Sequence, residues 1–405
     1  MPSVNGTDLN AKRAQVAAQV KCDILTATQD ADNDAQRISI GRSFISDTIT
    51  APTTEMYAYA LKASVGDDVY HEATTSAFEA HMAQLTGKEA ALFFSSGTQS
   101  NQIALRTHLT QPPYAVLCDE RAHINQYEAG GTAFHSGAHQ VGVQPSNGHH
   151  LTLEDVESRI VLSEDVHVSP TRIISLENTL NGTIFPQDEI IRISKFAHSN
   201  GVKMHLDGAR LWHVAAETGT SVKELCEPFD SVSLCFSKGL GAPVGTILVG
   251  NAEFIRKAKW FRKLFGGGMR QIGVLTASCA YALNNHFPLL PAVHALAQRI
   301  EQGLVDLGAV IWSSAETCMV FYDPSPLGLE YGEIADRGAA LPRPLILGGS
   351  RLVVHIQTST EAAEDFLELI KTLAEEKKAA GFVYVKPAKN VNGARSIYVR
   401  RKSKV

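Results

Sequence analysis

The chain has 405 residues, 44% of them hydrophobic and 20% charged, with a formal net charge of -5. That is long enough for a large core and two domains sharing one site, with an ordinary globular composition. The slightly acidic balance argues against a nucleic-acid partner, and no apolar run is long enough to span a bilayer.

The six cysteines (Cys22, Cys118, Cys226, Cys235, Cys279, Cys318) are scattered without a CxxC pair. This suits a reducing, cytoplasmic setting and small buried thiols, with no disulfide framework and no metal site. Residues 1 to 36 are polar and alanine-rich, without the apolar stretch of a secretory signal. Ser403-Lys404-Val405 is similar to a peroxisomal tripeptide but ends in valine, and Arg400, Arg401 and Lys402 before it read as a solvated tail, 386–405.

In chain order, residues 1–42 predict a helical arm or partly disordered segment. Ser43 to Thr53, SFISDTITAPT, follows, with Ser46 beside Asp47 as a turn. Thr75 to Thr86 predicts an amphipathic helix (Phe78, Met82, Leu85) closed by Gly87. Ala90 to Phe94 predicts a strand, and SSGTQSNQ, Ser95 to Gln102, leads into a helix from Asn101. Free backbone N–H groups and the helix dipole make such a junction an anion site, and an N-cap by Thr98 or Ser100 is the equally open alternative. A strand from Tyr114 to Cys118 delivers His123; a lone histidine there reads first as a surface or core residue. The strand Arg172 to Leu176 ends at Glu177-Asn178-Thr179, where open parallel sheets collect ligand groups.

The next strand, from Val202, ends at Asp207, followed by Gly208 and Arg210. A further strand (Val232, Leu234, Phe236) delivers Ser237 and Lys238 to a turn containing Gly239, Gly241, Pro243 and Gly245, and a strand from Thr246 returns. A lysine at a strand end, with glycines that allow close approach, suits a Schiff-base amine. An aspartate about thirty residues earlier, closing its own strand, completes the arrangement that holds pyridoxal 5'-phosphate: carboxylate opposite the pyridinium nitrogen, lysine as imine partner. The alternating strands and helices predict an α/β fold with a mainly parallel, covered sheet. Lys257 to Arg270 predicts a basic helix ending in three glycines, and about 273 to 308 is helical. Cys318 to Tyr322, Arg351 to Gln357 and a helix from Glu361 to Glu376 then predict a smaller α+β domain.

The phrases SLCFSKGLGAPVGTILVG, HLDGAR, SLENTLNGTIFP and FGGGMRQIG resemble the threonine aldolase family, and CDERAHINQYEAGG resembles its fungal members, over a match from about Ser46 to His355. The resemblance implies fold type I of the pyridoxal-phosphate enzymes: an aspartate-aminotransferase-like large domain over 43–285 and a small domain over 286–385. It assigns Gly97 and Thr98 to the cofactor phosphate, His123 to stacking on the ring, and Asp207, Arg210, Ser237 and Lys238 to the cofactor. Ser46 and Arg351 fall to the substrate carboxylate, and the bidentate guanidinium suits that task. Arg270 is expected near the phosphate across a dimer interface, in a homodimer or homotetramer. The implied reaction is retro-aldol cleavage of L-threonine or L-allo-threonine, with His123 as candidate base. The alternative is racemisation of a small amino acid such as alanine, with Lys238 on one face and Tyr127, or a water held by His123, on the other. Three positions depart from the family pattern: Ile45 stands where an arginine is usual, His71 to Thr75 lacks an acidic-proline pair, and Leu180 stands where bacterial members carry a histidine.

Overall fold

The large sheet of the computed structural model has seven strands, all but the polar β3 built on apolar runs: β1 (Ala90–Phe94), β2 (Ala115–Asp119), β3 (His139–Val143), β4 (Thr171–Glu177), β5 (Lys203–Gly208), β6 (Ser231–Cys235) and β7 (Thr246–Gly250). The structure describes residues 6–22, 24–25, 28–163 and 165–385; the basic tail and the Ser-Lys-Val terminus lie outside the described residues. Residues up to Ser39 form one compact unit and those from Ile40 another. In the first, the helix Gly6–Val20 exposes its described side chains, its few large apolar residues Leu9, Val16 and Val20 among them.

The sheet order is β1-β7-β6-β5-β4-β2-β3. Strands β2 to β6 run parallel, and β7 runs antiparallel to both β1 and β6. Every residue of β2, β6 and β7 is buried, which follows from helices covering both faces. The pleat divides the core: Ile247 and Val249 join the cluster that includes Trp212, Val232 and Leu206, while Leu248 joins Leu92, Phe94 and Phe254 on the other face.

A second sheet, β8 (Val310–Ser313), β9 (Met319–Asp323) and β10 (Arg351–Val353), is antiparallel in the order β10-β9-β8. The helices Leu290–Leu307 and Thr360–Ala379 pack on it around Phe321, Tyr322 and Phe366. Phe44 belongs to this second core as well. Its N–H donates to the Ile346 carbonyl at 2.9 Å, and the Val353 N–H donates to the Phe44 carbonyl at 2.9 Å.

Three elements differ from expectation. The helix expected from Asn101 begins at Gly97, so the small-residue junction is itself the first helical turn. The basic helix spans Ala252–Leu264, capped by Asn251, and stops before Arg270 because the chain turns at Gly266 with φ +79°. The strand expected over Arg351 to Gln357 closes at Val353, after which the His355 N–H is taken by the Thr358 hydroxyl.

Candidate active site

The carboxyl ends of the parallel strands set out the chemistry. β4 ends at Glu177, in register with Asp207 near the end of β5, and the bend after β6 carries Ser237 and Lys238. Above them lies a cleft of about 270 Å³ lined by Ser46, His123, Tyr127, Glu177, Arg210, Lys238 and Arg351, with Leu180 and Met319 as apolar walls. A larger hollow of about 450 Å³ between Tyr59, Phe78 and Leu283 brings together no strand-end carboxylate, so the chemistry belongs to the smaller cleft.

Asp207 is buried and fully oriented. One carboxylate oxygen accepts from Asn101 Nδ2 at 2.8 Å and the other from the Ala209 N–H at 3.0 Å. Asn101 also donates to Glu128 Oε1 at 3.0 Å, and its own oxygen lies 3.2 Å from His205 Nε2. Asp207 is thus held both by the backbone that follows it and by a side chain of the helix Gly97–His108.

His123 stands over this network. Its Nδ1 lies 2.8 Å from Glu128 Oε1, and its backbone N–H donates to Glu177 Oε2 at 2.8 Å. The Glu128 contact outweighs burial and holds the imidazolium above the ordinary histidine range. Tyr127 lies beside it, ring centroids 5.7 Å apart. Burial, with Asp207 alongside, pushes the Glu177 carboxyl well above the usual carboxylate range. Burial alone would pull Lys238 down, but Cys235, Asp207 and Asp47 more than offset that against Arg210, and the ammonium is favoured.

Arg210 reaches Asp47 through a two-bonded fork, Nε to Oδ2 at 2.8 Å and Nη2 to Oδ1 at 2.6 Å. Burial would raise Asp47, and the guanidinium overrides it and holds the carboxyl far below its ordinary range. Beneath Asp47 runs a chain from Glu217 to His294 Nδ1 (2.6 Å) and from His294 Nε2 to His213 Nδ1 (2.8 Å). His213 Nε2 is buried without a hydrogen-bond partner, and burial pushes that imidazole down to about 3.

Ser46 does both things the sequence left open: its hydroxyl caps the short turn Asp47–Ile49 by accepting from the Thr48 N–H, and it lines the cleft. Arg351 lines the cleft beside this segment, its Nη2 3.3 Å from the Ile45 carbonyl. Gly97 and Thr98 open the helix Gly97–His108, so their N–H groups have no acceptor within it. A Cβ at Gly97 would come 2.8 Å from Cys235 Sγ, so only glycine lets this helix end sit against β6. Gly97, Thr98, Asp207 and Ser237 lie outside the cleft lining, and Arg270 is largely exposed and pairs with Asp67 at 3.0 Å. Glu128, Asn101 and Asp47 were missed as site residues. Asp47 is adjacent to Ser46, but nothing local marks Glu128 or Asn101, whose partners come from other elements.

The donor set fits the cofactor read from the sequence. Asp207 and Glu128 lie close to the His123 imidazole, while Glu177 takes the His123 backbone N–H, and the Asp207 carboxylate would suit a cationic ring N–H. The helix end offers N–H groups to a phosphate, and Lys238 offers an amine to an aldehyde carbon.

Residues 43–325 match the family model of the beta-eliminating lyases. The chain is 43% identical over 365 residues to the low specificity L-threonine aldolase of Saccharomyces cerevisiae, covering 89% of this chain and 92% of that protein. It is 38% identical over 357 residues to an alanine racemase of Cochliobolus carbonum, covering 85% and 91% respectively. A solved threonine aldolase of Leishmania major superposes with a TM-score of 0.71 at 21% identity, over 82% of this chain and 99% of that one, a likeness of fold.

Proposed function

The chain belongs to the beta-eliminating lyase family and, within it, to the threonine aldolases, and from this premise we propose that it cleaves L-threonine or L-allo-threonine to glycine and acetaldehyde with pyridoxal phosphate. The observation that carries the reading is the cleft itself, where Lys238, a charge-balanced Arg210 and a fixed Arg351 face one another above Asp207. Bound pyridoxal phosphate supplies an electron sink for the pair released at Cα.

The protein's own residues do the rest. Gly97 and Thr98 would hold the phosphate, Asp207 would face the ring nitrogen, and Lys238 would bind the aldehyde carbon. Arg351 and Ser46, side by side at the cleft, would grip the substrate carboxylate and so fix which bond at Cα breaks. His123, held as an imidazolium by Glu128, covers the ring face and donates a proton more readily than it accepts one.

The 38% identity to an alanine racemase supports a second reading, in which the same residues release the proton at Cα rather than the β-carbon. Separate incubations with L-threonine, L-allo-threonine and L-alanine, with products resolved on a chiral column, decide between them. Glycine and acetaldehyde support the aldolase. D-alanine from L-alanine with little glycine overturns it in favour of the racemase.

A further inference from the structure

An aldolase needs a base for the β-hydroxyl, and the imidazole over the cleft is poorly suited to it, because His123 Nδ1 is committed to Glu128. Among the described residues lining the cleft, Glu177 is the sole carboxyl group. It closes β4 between the lysine bend and the apolar wall of Leu180, and one of its oxygens, Oε2, is fixed by the His123 N–H at 2.8 Å. That single anchor orients the side chain and leaves Oε1 for another partner. The groups that face it are Asp207 from β5, His123, Lys238, Asp119 from β2, Arg121, and His149 and His150 across a small hollow behind Leu180. Arg121 is tied to Asp119 through a two-bonded fork, so it neutralises that carboxylate rather than Glu177.

We propose that Glu177 is the catalytic base that takes the β-hydroxyl proton, a role resting on the aldolase reading. As the carboxylate, Glu177 accepts that proton while the Cα–Cβ bond breaks. The β-carbon leaves as the aldehyde, and the electron pair stays at Cα, delocalised into the bound cofactor. The Lys238 ammonium protonates Cα, the lysine amine reclaims the cofactor, and the proton on Glu177 leaves with the amino group of glycine. The raised ionisation range of Glu177 places it near neutral pH, where a general base is most effective.

The test compares wild-type holoenzyme with Glu177→Gln, whose amide oxygen still accepts from the His123 N–H, and with Glu177→Asp. The expected result for Glu177→Gln is a loss of about 100-fold in kcat with KM nearly unchanged and the visible cofactor band retained. The rise of kcat with pH, as Glu177 loses its proton, should disappear in this variant. In infrared difference spectra of the wild type, a protonated carboxyl band should fade over the same pH range, and it should be missing from Glu177→Gln. A Gln variant with wild-type kcat and an intact pH limb overturns the proposal. If the Gln variant fails to bind cofactor, Glu177→Asp decides: a shifted limb with lower kcat supports the role, and an unmoved limb refutes it. Wild-type enzyme that leaves both threonines intact refutes the aldolase reading and this role with it, while the infrared band separately reports whether Glu177 holds a proton.

Discussion

Single side chains in this cleft are defined by the charges they cannot escape. Lys238 offers the cleft its nucleophilic amine, and Lys238→Ala should abolish the visible absorbance of the reconstituted protein; an unchanged spectrum refutes the cofactor assignment. Asp47 shows how burial raises the stakes: it is fully buried and carries the Arg210 fork. Removing one partner of such a pair leaves a charge poorly compensated, so Asp47→Asn should lose roughly 3 kcal/mol of stability in urea melts at neutral pH. The sign with pH follows from its depressed ionisation. The carboxylate's contribution is present above its unfolded pKa and is lost as pH falls toward the folded value. The gap between wild type and Asp47→Asn should therefore be widest near pH 7 and close progressively below about pH 4. A gap that stays constant in acid would show that the pair contributes nothing through its charge.

At the scale of elements, the turn after β6 is tuned by what lies beneath it. A Cβ at Gly239 would come 2.1 Å from His213 Nε2, and that histidine is held by His294, itself anchored to Glu217. Gly239→Ala should displace the Lys238 turn and weaken cofactor binding at least tenfold in equilibrium titrations, and the double variant with His213→Ala should restore most of it. No rescue would mean the turn fails for its own backbone reasons. This turn also marks what could be read from sequence. Lys238, Asp207 and the Gly97 junction were legible because each sits at a strand end announced by apolar residues on one side and glycines on the other. The strand β3 was not, because its residues HQVGV are polar and part-exposed at the sheet edge, so no apolar run betrays them. Glu128 escaped notice for a different reason. Its partners Asn101, Gln102 and His123 come from a separate helix and from the turn just before it, and a buried carboxylate satisfied by three side chains leaves no local pattern. Arg270 was found by its motif, yet its helix ends six residues earlier than periodicity implied.

For the whole molecule, Arg270 poses the question of assembly. Within this chain it pairs with Asp67 on an exposed surface. If it serves a neighbouring copy's phosphate, as the sequence reading proposes, Arg270→Ala and Lys238→Ala would each be inactive alone. Co-refolded one to one, they should recover about a quarter of wild-type activity, since half the dimers are mixed and each has one complete site. No recovery, or a fully active monomer in sedimentation, refutes the shared site. Ser46 and Arg351, proposed for the substrate carboxylate, have a simpler relation. The short segment Arg42–Phe44 is stitched to Ile346 and Val353 by backbone hydrogen bonds, and the Arg42 side chain reaches the Arg343 and Pro344 carbonyls and Asp365. Ser46 and Arg351, about three hundred positions apart in the chain, are thus mounted on one small platform. Anyone grafting this C-terminal portion onto another scaffold to transplant its substrate preference would have to carry the stretch 42–46 along as a separate cassette, or leave half of the grip behind.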